Sequence, residues 1–299
     1  MRFSHRVETL LLKSVVSSLS RLSWPAARER GAALGSFVGA LGIRRDVARA
    51  NLALAFPEQT QAWRERVLAE HYRELGRVAA EYPRIAELAR APREQVFAGW
   101  VGEEHVRAAA AMGRGVIFLT GHVSNFELGA AAVARDHPMA LVFKPLSNPG
   151  AEAWVTAIRR SIGVELLPIG AGVRGAVRRL RSGGAIAMLA DQDARRDGVF
   201  VPFFGRPAST AAGPAWLSLA TGAPIVFCTI TREADGRFVL RFQPPLVPLG
   251  DAADAAAVRV LTARHTALLE AVVRERPEQW FWLHKRWKTA QPGGDGAVV

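Results

Sequence analysis

Five short apolar runs, at residues 115–120, 139–143, 164–169, 185–190 and 225–230, constrain this chain more than any other feature. None alternates apolar with polar residues. That is the pattern of strands covered on both faces rather than one. Between the runs, residues 125–136, 151–161, 173–181 and 211–221 carry helical spacing. Parallel strands need crossovers of this kind, so the alternation predicts βαβ units. The expected fold is α/β, with a central, largely parallel mixed sheet flanked by helices. A hairpin closes the series, with 229–232 and 237–242 meeting around Asp235-Gly236, a strong turn pair. A long Ala-rich helix over 253–274 follows.

The 299 residues divide by pattern into three parts. Residues 1–95 read as an N-terminal helical region, 96–290 as the main α/β domain, and 291–299 as a loose tail. Within the first part, Leu10, Leu11, Leu12, Val15, Val16 and Leu19 recur at helical spacing among Arg2, Arg6, Lys13 and Arg21. A second apolar stretch spans 31–43 and ends at Arg44-Arg45. No uncharged apolar run reaches the 18 residues that a spanning helix needs. Both stretches fit either amphipathic helices in a membrane interface or helices packed on the domain. No good cleavage site for a signal peptide follows the first of them.

A formal charge of +12 favours an anionic partner: phosphate, nucleic acid or a membrane surface. Cys228 is the only cysteine, which rules out an internal disulfide and multi-cysteine zinc sites. Its apolar neighbours mark it as a small buried hydrophobe.

The first apolar run leads into Gly121-His-Val-Ser-Asn-Phe-Glu127. His122 is the side chain most readily tuned to accept a proton near neutral pH, and a carboxylate such as Glu127 can orient it. The same stretch is also a capping box, with Ser124 as N-cap and Glu127 at N3. In parallel sheets, ligands bind beyond the carboxyl ends of strands. There His122 gains company: Lys144 after the second run, and Asp191, Gln192 and Asp193 after the fourth.

At these residues the chain resembles the bacterial lipid A biosynthesis acyltransferases, with a glycerolipid-acyltransferase-like fold. The resemblance rests on ordered blocks: 121–127; Phe-Lys-Pro-Leu-Ser-Asn-Pro at 143–149; Ala-Asp-Gln-Asp at 190–193; Val-Pro-Phe-Phe-Gly-Arg-Pro-Ala-Ser-Thr at 201–210; and Pro-Glu-Gln-Trp-Phe-Trp-Leu-His-Lys-Arg-Trp-Lys at 277–288. It implies transfer of a fatty acyl chain from a carrier thioester, acyl carrier protein or acyl-CoA, to a hydroxyl of a lipid A precursor or related membrane (glyco)lipid, an anionic acceptor. His122 and Glu127 would be the catalytic pair. Lys144, Arg159, Asp191, Gln192, Phe203, Phe204 and Thr210 would bind substrate, with the two Phe rings lining the acyl path. It further implies a peripheral or monotopic protein on the cytoplasmic face of the bacterial inner membrane. No metal or cofactor is expected. The aromatic and basic strip at 280–288 is a second candidate lipid contact.

A different reading starts from Gly170-Ala-Gly172-Val-Arg-Gly175, a formal Gly-x-Gly-x-x-Gly after an apolar run, with Asp191 beyond it. That is the outline of a nucleotide-dependent, Rossmann-type enzyme. Nucleic acid is not an expected partner, because no recognised binding module accompanies the positive charge.

Overall fold

The computed structural model describes residues 14, 18–248 and 254–292. Leu10, Leu11, Leu12, Val15 and Val16 of the first amphipathic stretch lie outside the described residues, as do tail residues 293–299. In chain order the N-terminal helices are α1 (Trp24–Ala40), α2 (Arg45–Ala55), α3 (Gln61–Glu81), α4 (Ile85–Arg90) and α5 (Arg93–Val96). There follow β1 (Phe97–Val101), α6 (Glu103–Ala111), β2 (Val116–Thr120), α7 (Phe126–Asp136), β3 (Met139–Phe143), α8 (Pro149–Ser161) and β4 (Glu165–Pro168). The remainder comprises α9 (Val173–Arg181), β5 (Ala185–Leu189), β6 (Val199–Phe203), β7 (Arg206–Thr210), α10 (Gly213–Thr221), β8 (Ile225–Arg232), β9 (Phe238–Phe242) and α11 (Ala255–Glu275).

Seven strands form one sheet in the order β1-β9-β8-β2-β5-β3-β4. Every neighbouring pair is parallel except β8/β9, the hairpin turned at Gly236, whose φ is +86°. The central strands are buried on both faces. Ile117, Leu119, Ala140, Val142, Ile186, Met188, Ile225 and Phe227 enter one apolar core. Val116, Phe118, Met139, Leu141, Ala187 and Val226 enter the other. This two-sided burial explains the missing polar alternation. Two features went beyond the apolar runs: β1 at the sheet edge, and the separate β6/β7 hairpin.

The N-terminal helices share the first core with the sheet. Leu52 of α2 and Leu68 and Tyr72 of α3 pack in the same cluster as Ile117 and Phe227. Helices α1 and α3 cross at glycines: a Cβ at Gly76 would sit 2.0 Å from the Gly31 carbonyl oxygen, and one at Gly35 would sit 1.9 Å from that of Tyr72. Beyond α1, the turn carrying Arg44 is tied to the far end of the chain, where Arg44 Nε donates to the Leu283 carbonyl at 2.6 Å.

The Gly170–Gly175 loop has a structural explanation that differs from phosphate binding. The Gly172 amide donates to the Pro168 carbonyl and the Val173 amide to Gly170, so both are used by the loop itself. A Cβ at Gly172 would lie 2.6 Å from the Pro168 oxygen, and one at Gly175 3.2 Å from Leu167. The glycines let α9 pack closely on β4, an edge strand. The nucleotide-enzyme reading loses its motif.

Candidate active site

The register of the central sheet builds the site. Strands β2 and β5 pair in parallel from Val116 opposite Ala185 to Thr120 opposite Leu189. Two residues further along each strand, the same offset sets His122 opposite Asp191. The His122 amide donates to Asp191 Oδ2 at 2.7 Å, and ring Nδ1 meets Oδ1 at 2.7 Å. Gly121 permits the approach, since a Cβ there would lie 2.7 Å from Leu269 and 3.2 Å from Asp191 Oδ2.

A third donor completes the Asp191 cradle. Trp280 Nε1 donates to Oδ2 at 2.9 Å. The segment carrying Trp280 lies along the His122 loop: Phe281 N donates to the His122 carbonyl, and Ser124 N to that of Gln279. Trp280, Trp282 and Trp287 are buried. The expectation that this Trp-rich strip faces lipid is therefore corrected for the three indoles, which pack behind the site. Phe203 and Phe204 are buried with them, their rings 4.8 Å apart, Phe203 stacked on Trp287 and edge-on to Trp280. Thr210 is buried too, and its hydroxyl accepts from Arg286 Nη2 at 2.5 Å. These three residues sit in the aromatic core under Asp191 rather than beside the imidazole.

The electrostatics follow from burial and pairing. Asp191 is 3% exposed. Burial alone would raise its pKa, but the charge and hydrogen bonds of His122, with the Trp280 bond, hold it far below the usual carboxylate range. For His122 burial works against the charged form. The Asp191 charge and hydrogen bond, with a further contribution from Glu127, outweigh it and hold the pKa above the ordinary 6.5. With Nδ1 committed to Asp191, Nε2 is the free ring nitrogen, and it makes no hydrogen bond among the described residues. The side chain is 26% exposed. An oriented imidazole with an open Nε2 is equipped to take a proton from a hydroxyl.

Glu127 occupies a different place from the one its sequence position suggests. Helix α7 starts at Phe126 with Asn125 as N-cap, its side chain accepting from Leu128 N at 3.1 Å. The capping box does not form, because Ser124 adopts a left-handed φ of +45° and gives its hydroxyl to Glu74 at 2.8 Å. Glu127, one residue into the helix, points to α8. Arg159 binds it through Nε, at 3.1 and 3.2 Å, and through Nη2. Tyr82 lies against this pair: burial and the Glu127 charge raise its phenol pKa. The carboxylate on the imidazole Nδ1 is thus Asp191, while Glu127 and Arg159 form a neighbouring ion pair. Lys144 and Gln192 are exposed, beyond β3 and β5 on the same sheet edge.

Behind the His122 loop lies a buried ionic knot that sequence reading passed over. Arg232 binds Glu74 through Nε, at 2.8 and 3.0 Å, and Glu81 through both Nη atoms, at 2.6 and 2.8 Å. Ser124 reaches the first carboxylate and Asn125 the second, at 3.0 Å. The signal was present: Val67, His71, Glu74, Val78 and Glu81 form one 4-3-4-3 stripe on α3, so both acids fall in its apolar seam.

Comparison with known proteins finds relatives along most of the chain. The family model described as bacterial lipid A biosynthesis acyltransferase matches residues 2–289. A lipid A biosynthesis palmitoleoyltransferase of Escherichia coli (strain K12) is 29% identical over 273 residues, covering 89% of this chain and 87% of the relative. A lipid A biosynthesis myristoyltransferase of the same organism is 31% identical over 268 residues, covering 88% and 81%. A phosphatidylinositol mannoside acyltransferase of Mycolicibacterium smegmatis is 28% identical over 190 residues, covering 62% and 60%.

Proposed function

The chain belongs to the bacterial lipid A biosynthesis acyltransferase family and is an acyltransferase; from that premise, we propose that it moves a fatty acyl chain from acyl carrier protein or acyl-CoA to a hydroxyl of a lipid A precursor or related membrane glycolipid. His122 is the general base. Its Nε2 takes the hydroxyl proton as the oxygen attacks the thioester carbonyl. The tetrahedral intermediate then collapses, the carbon–sulfur bond breaks, and the departing thiolate takes the proton back from the imidazolium. Asp191 fixes the tautomer and stabilises the charge on the ring. General-base catalysis of this kind contributes ~10²–10⁴-fold, with the rest coming from positioning and oxyanion stabilisation.

The observation that carries this reading is the open Nε2 on an imidazole anchored through Nδ1 at 2.7 Å. Lys144 and Gln192, exposed on the same edge, are assigned to polar and anionic groups of the substrates. The Glu127–Arg159 pair flanks the imidazole and sets the field around it. The test is acyl transfer by purified His122→Ala and Asp191→Asn proteins on a lipid A precursor. A folded His122→Ala protein working at the parent rate would remove the mechanism.

We place the protein peripherally or monotopically on the cytoplasmic face of the inner membrane. Among the described residues, no helix is long and apolar enough to cross a membrane. Phe37, Leu41 and Ile43 are all about half exposed or more at the end of α1, next to Arg44. That tip is bonded to Leu283, in the segment that packs on His122. Apolar side chains at an exposed tip beside cationic ones suit insertion into an anionic lipid surface. Vesicle flotation of a Phe37→Glu/Leu41→Glu protein tests this; flotation equal to the parent's would move the contact elsewhere.

A further inference from the structure

One helix carries a charge pattern that the site does not use. Arg174, Arg178 and Arg181 recur at i, i+4 and i+7 on α9 and line up on one exposed face. None of them makes a hydrogen bond or ion pair with the described residues, whereas Arg179 on the same helix binds Glu165 at 2.9 Å and two carbonyls. The three guanidinium groups rim a shallow cavity of about 550 Å³ between α9 and α10. Its apolar floor is Val173, Val177 and Trp216, with Val173 and Trp216 37% and 39% exposed.

We propose that this basic groove docks an acidic helix of the acyl carrier protein that delivers the thioester. The inference rests on the acyl-transfer reading and adds to it the surface on which a protein donor sits. Charge complementarity supplies the first argument: three cations on one face, without a partner among the described residues, call for an extended anionic partner. Reach supplies the second. From Arg174 to Arg181 the stripe runs about 10 Å along the helix axis, longer than a single phosphate can satisfy. Shape supplies the third. The surface is concave with an apolar floor, which a convex helix fills; a flat bilayer would bridge the rim and leave the floor uncovered. Position supplies the fourth. Helix α9 begins just after β4, on the edge that carries His122 after β2. The intervening order β2-β5-β3-β4 puts three strand spacings, about 14 Å, between them. A donor seated there must present its thioester on an extended arm, as a pantetheine-bearing carrier does.

The experiment uses the full chain with Arg174→Glu, Arg178→Glu and Arg181→Glu combined, and an Arg→Gln triple variant as a milder control. Binding of fluorescent lauroyl-acyl carrier protein is measured first in a His122→Ala background, where no turnover intrudes. The expected result is salt-sensitive binding that the charge reversal weakens about tenfold or more and the Gln variant weakens less. In the active background, KM for lauroyl-acyl carrier protein rises by a similar factor, while kcat and the KM for uncharged lauroyl-pantetheine stay unchanged. Equal carrier binding by parent and reversed proteins overturns the proposal. So does a parallel rise in KM for both donors, which would mark a small-donor or acceptor site. Lost binding to phosphatidylglycerol vesicles with carrier binding intact would overturn it in favour of a membrane contact. If the reversal abolishes carrier binding but the parent transfers from neither donor, docking stands and the acyl-transfer reading fails.

Discussion

His122 and Asp191 are joined twice, ring to carboxylate and backbone amide to carboxylate, both at 2.7 Å, because they continue the register of two paired parallel strands. The carboxylate therefore fixes both the tautomer and the position of the imidazole. Replacing it with an amide keeps the volume but removes the charge and offers Nδ1 a donor as readily as an acceptor. Asp191→Asn is expected to lower kcat by ~10²–10⁴-fold with a small change in KM. Steady-state acyl-transfer kinetics check this; a rise in KM alone would assign Asp191 to substrate binding.

The pH dependence has a defined sign. The base must be neutral, and His122 holds its proton above the ordinary 6.5. kcat/KM should therefore fall as pH drops through that raised value, with the acid limb above pH 6.5. In Asp191→Asn the main influence left on the ring is burial, which favours the neutral form. Its residual activity should show an acid limb moved to lower pH. A limb that stays where the parent's lies would belong to another group.

Glu127 and Arg159 form a nearly buried pair, their side chains 6% and 13% exposed. Removing one partner strands the other charge, so Glu127→Gln and Arg159→Gln should each destabilise by about 3 kcal/mol. The double variant should lose much less than the sum, with a coupling of about 1–3 kcal/mol in urea denaturation. Strict additivity would mean the two side chains are solvated independently.

Much of this architecture is legible from residue pattern. Ile117 and Phe118 show why: buried on opposite faces, both must be apolar, and such runs mark β2, β3, β5 and β8 without ambiguity. Strand β1 escapes notice because it lies at a sheet edge, where only Phe97 is buried, Ala98 and Val101 are exposed, and Gly99 interrupts the apolar run. In the β6/β7 hairpin Pro202 faces Pro207, and proline argues against a strand unless the pair stands alone. His122 is readable, and so is Asp191 at the same sheet edge; that Asp191 rather than Glu127 holds the ring is not. Glu127 is five residues away, whereas Asp191 is 69 residues on and arrives through register, which no local spacing encodes. The tryptophans at 280–287 were misplaced for a related reason. An aromatic strip looks the same in sequence whether it meets lipid or, as Trp280 does, a buried carboxylate from another strand.

The crossing of α1 and α3 depends on absent side chains. A Cβ on Gly76 would lie 2.0 Å from the Gly31 oxygen and 2.8 Å from Gly35 N, all backbone atoms that cannot rotate away. Gly76→Ala should therefore push the helices apart, despite the better helix propensity of alanine, and cost about 1–3 kcal/mol. The displaced helix ends at the Phe37–Ile43 tip, so vesicle binding should weaken in parallel with the lower urea midpoint. A neutral or stabilising Gly76→Ala would show that propensity outweighs the close approach.

The Arg232 knot links stability to the site. Its guanidinium is 6% exposed and faces two buried carboxylates that also hold Ser124 and Asn125. Arg232→Met leaves Glu81 without its ionic partner and Glu74 with only Arg77, at 3.5 Å, at a cost of about 3–5 kcal/mol. Neutralising all three groups at once, as Glu74→Gln/Glu81→Gln/Arg232→Met, removes the stranded charges. Each Gln carbonyl oxygen still accepts from Ser124 or Asn125. The triple variant should recover most of the lost stability and retain acyl transfer, because the left-handed Ser124 turn keeps its anchors. If stability returns and activity does not, the charges themselves act on the His122 loop, and the pH profile of the triple variant would then shift with them.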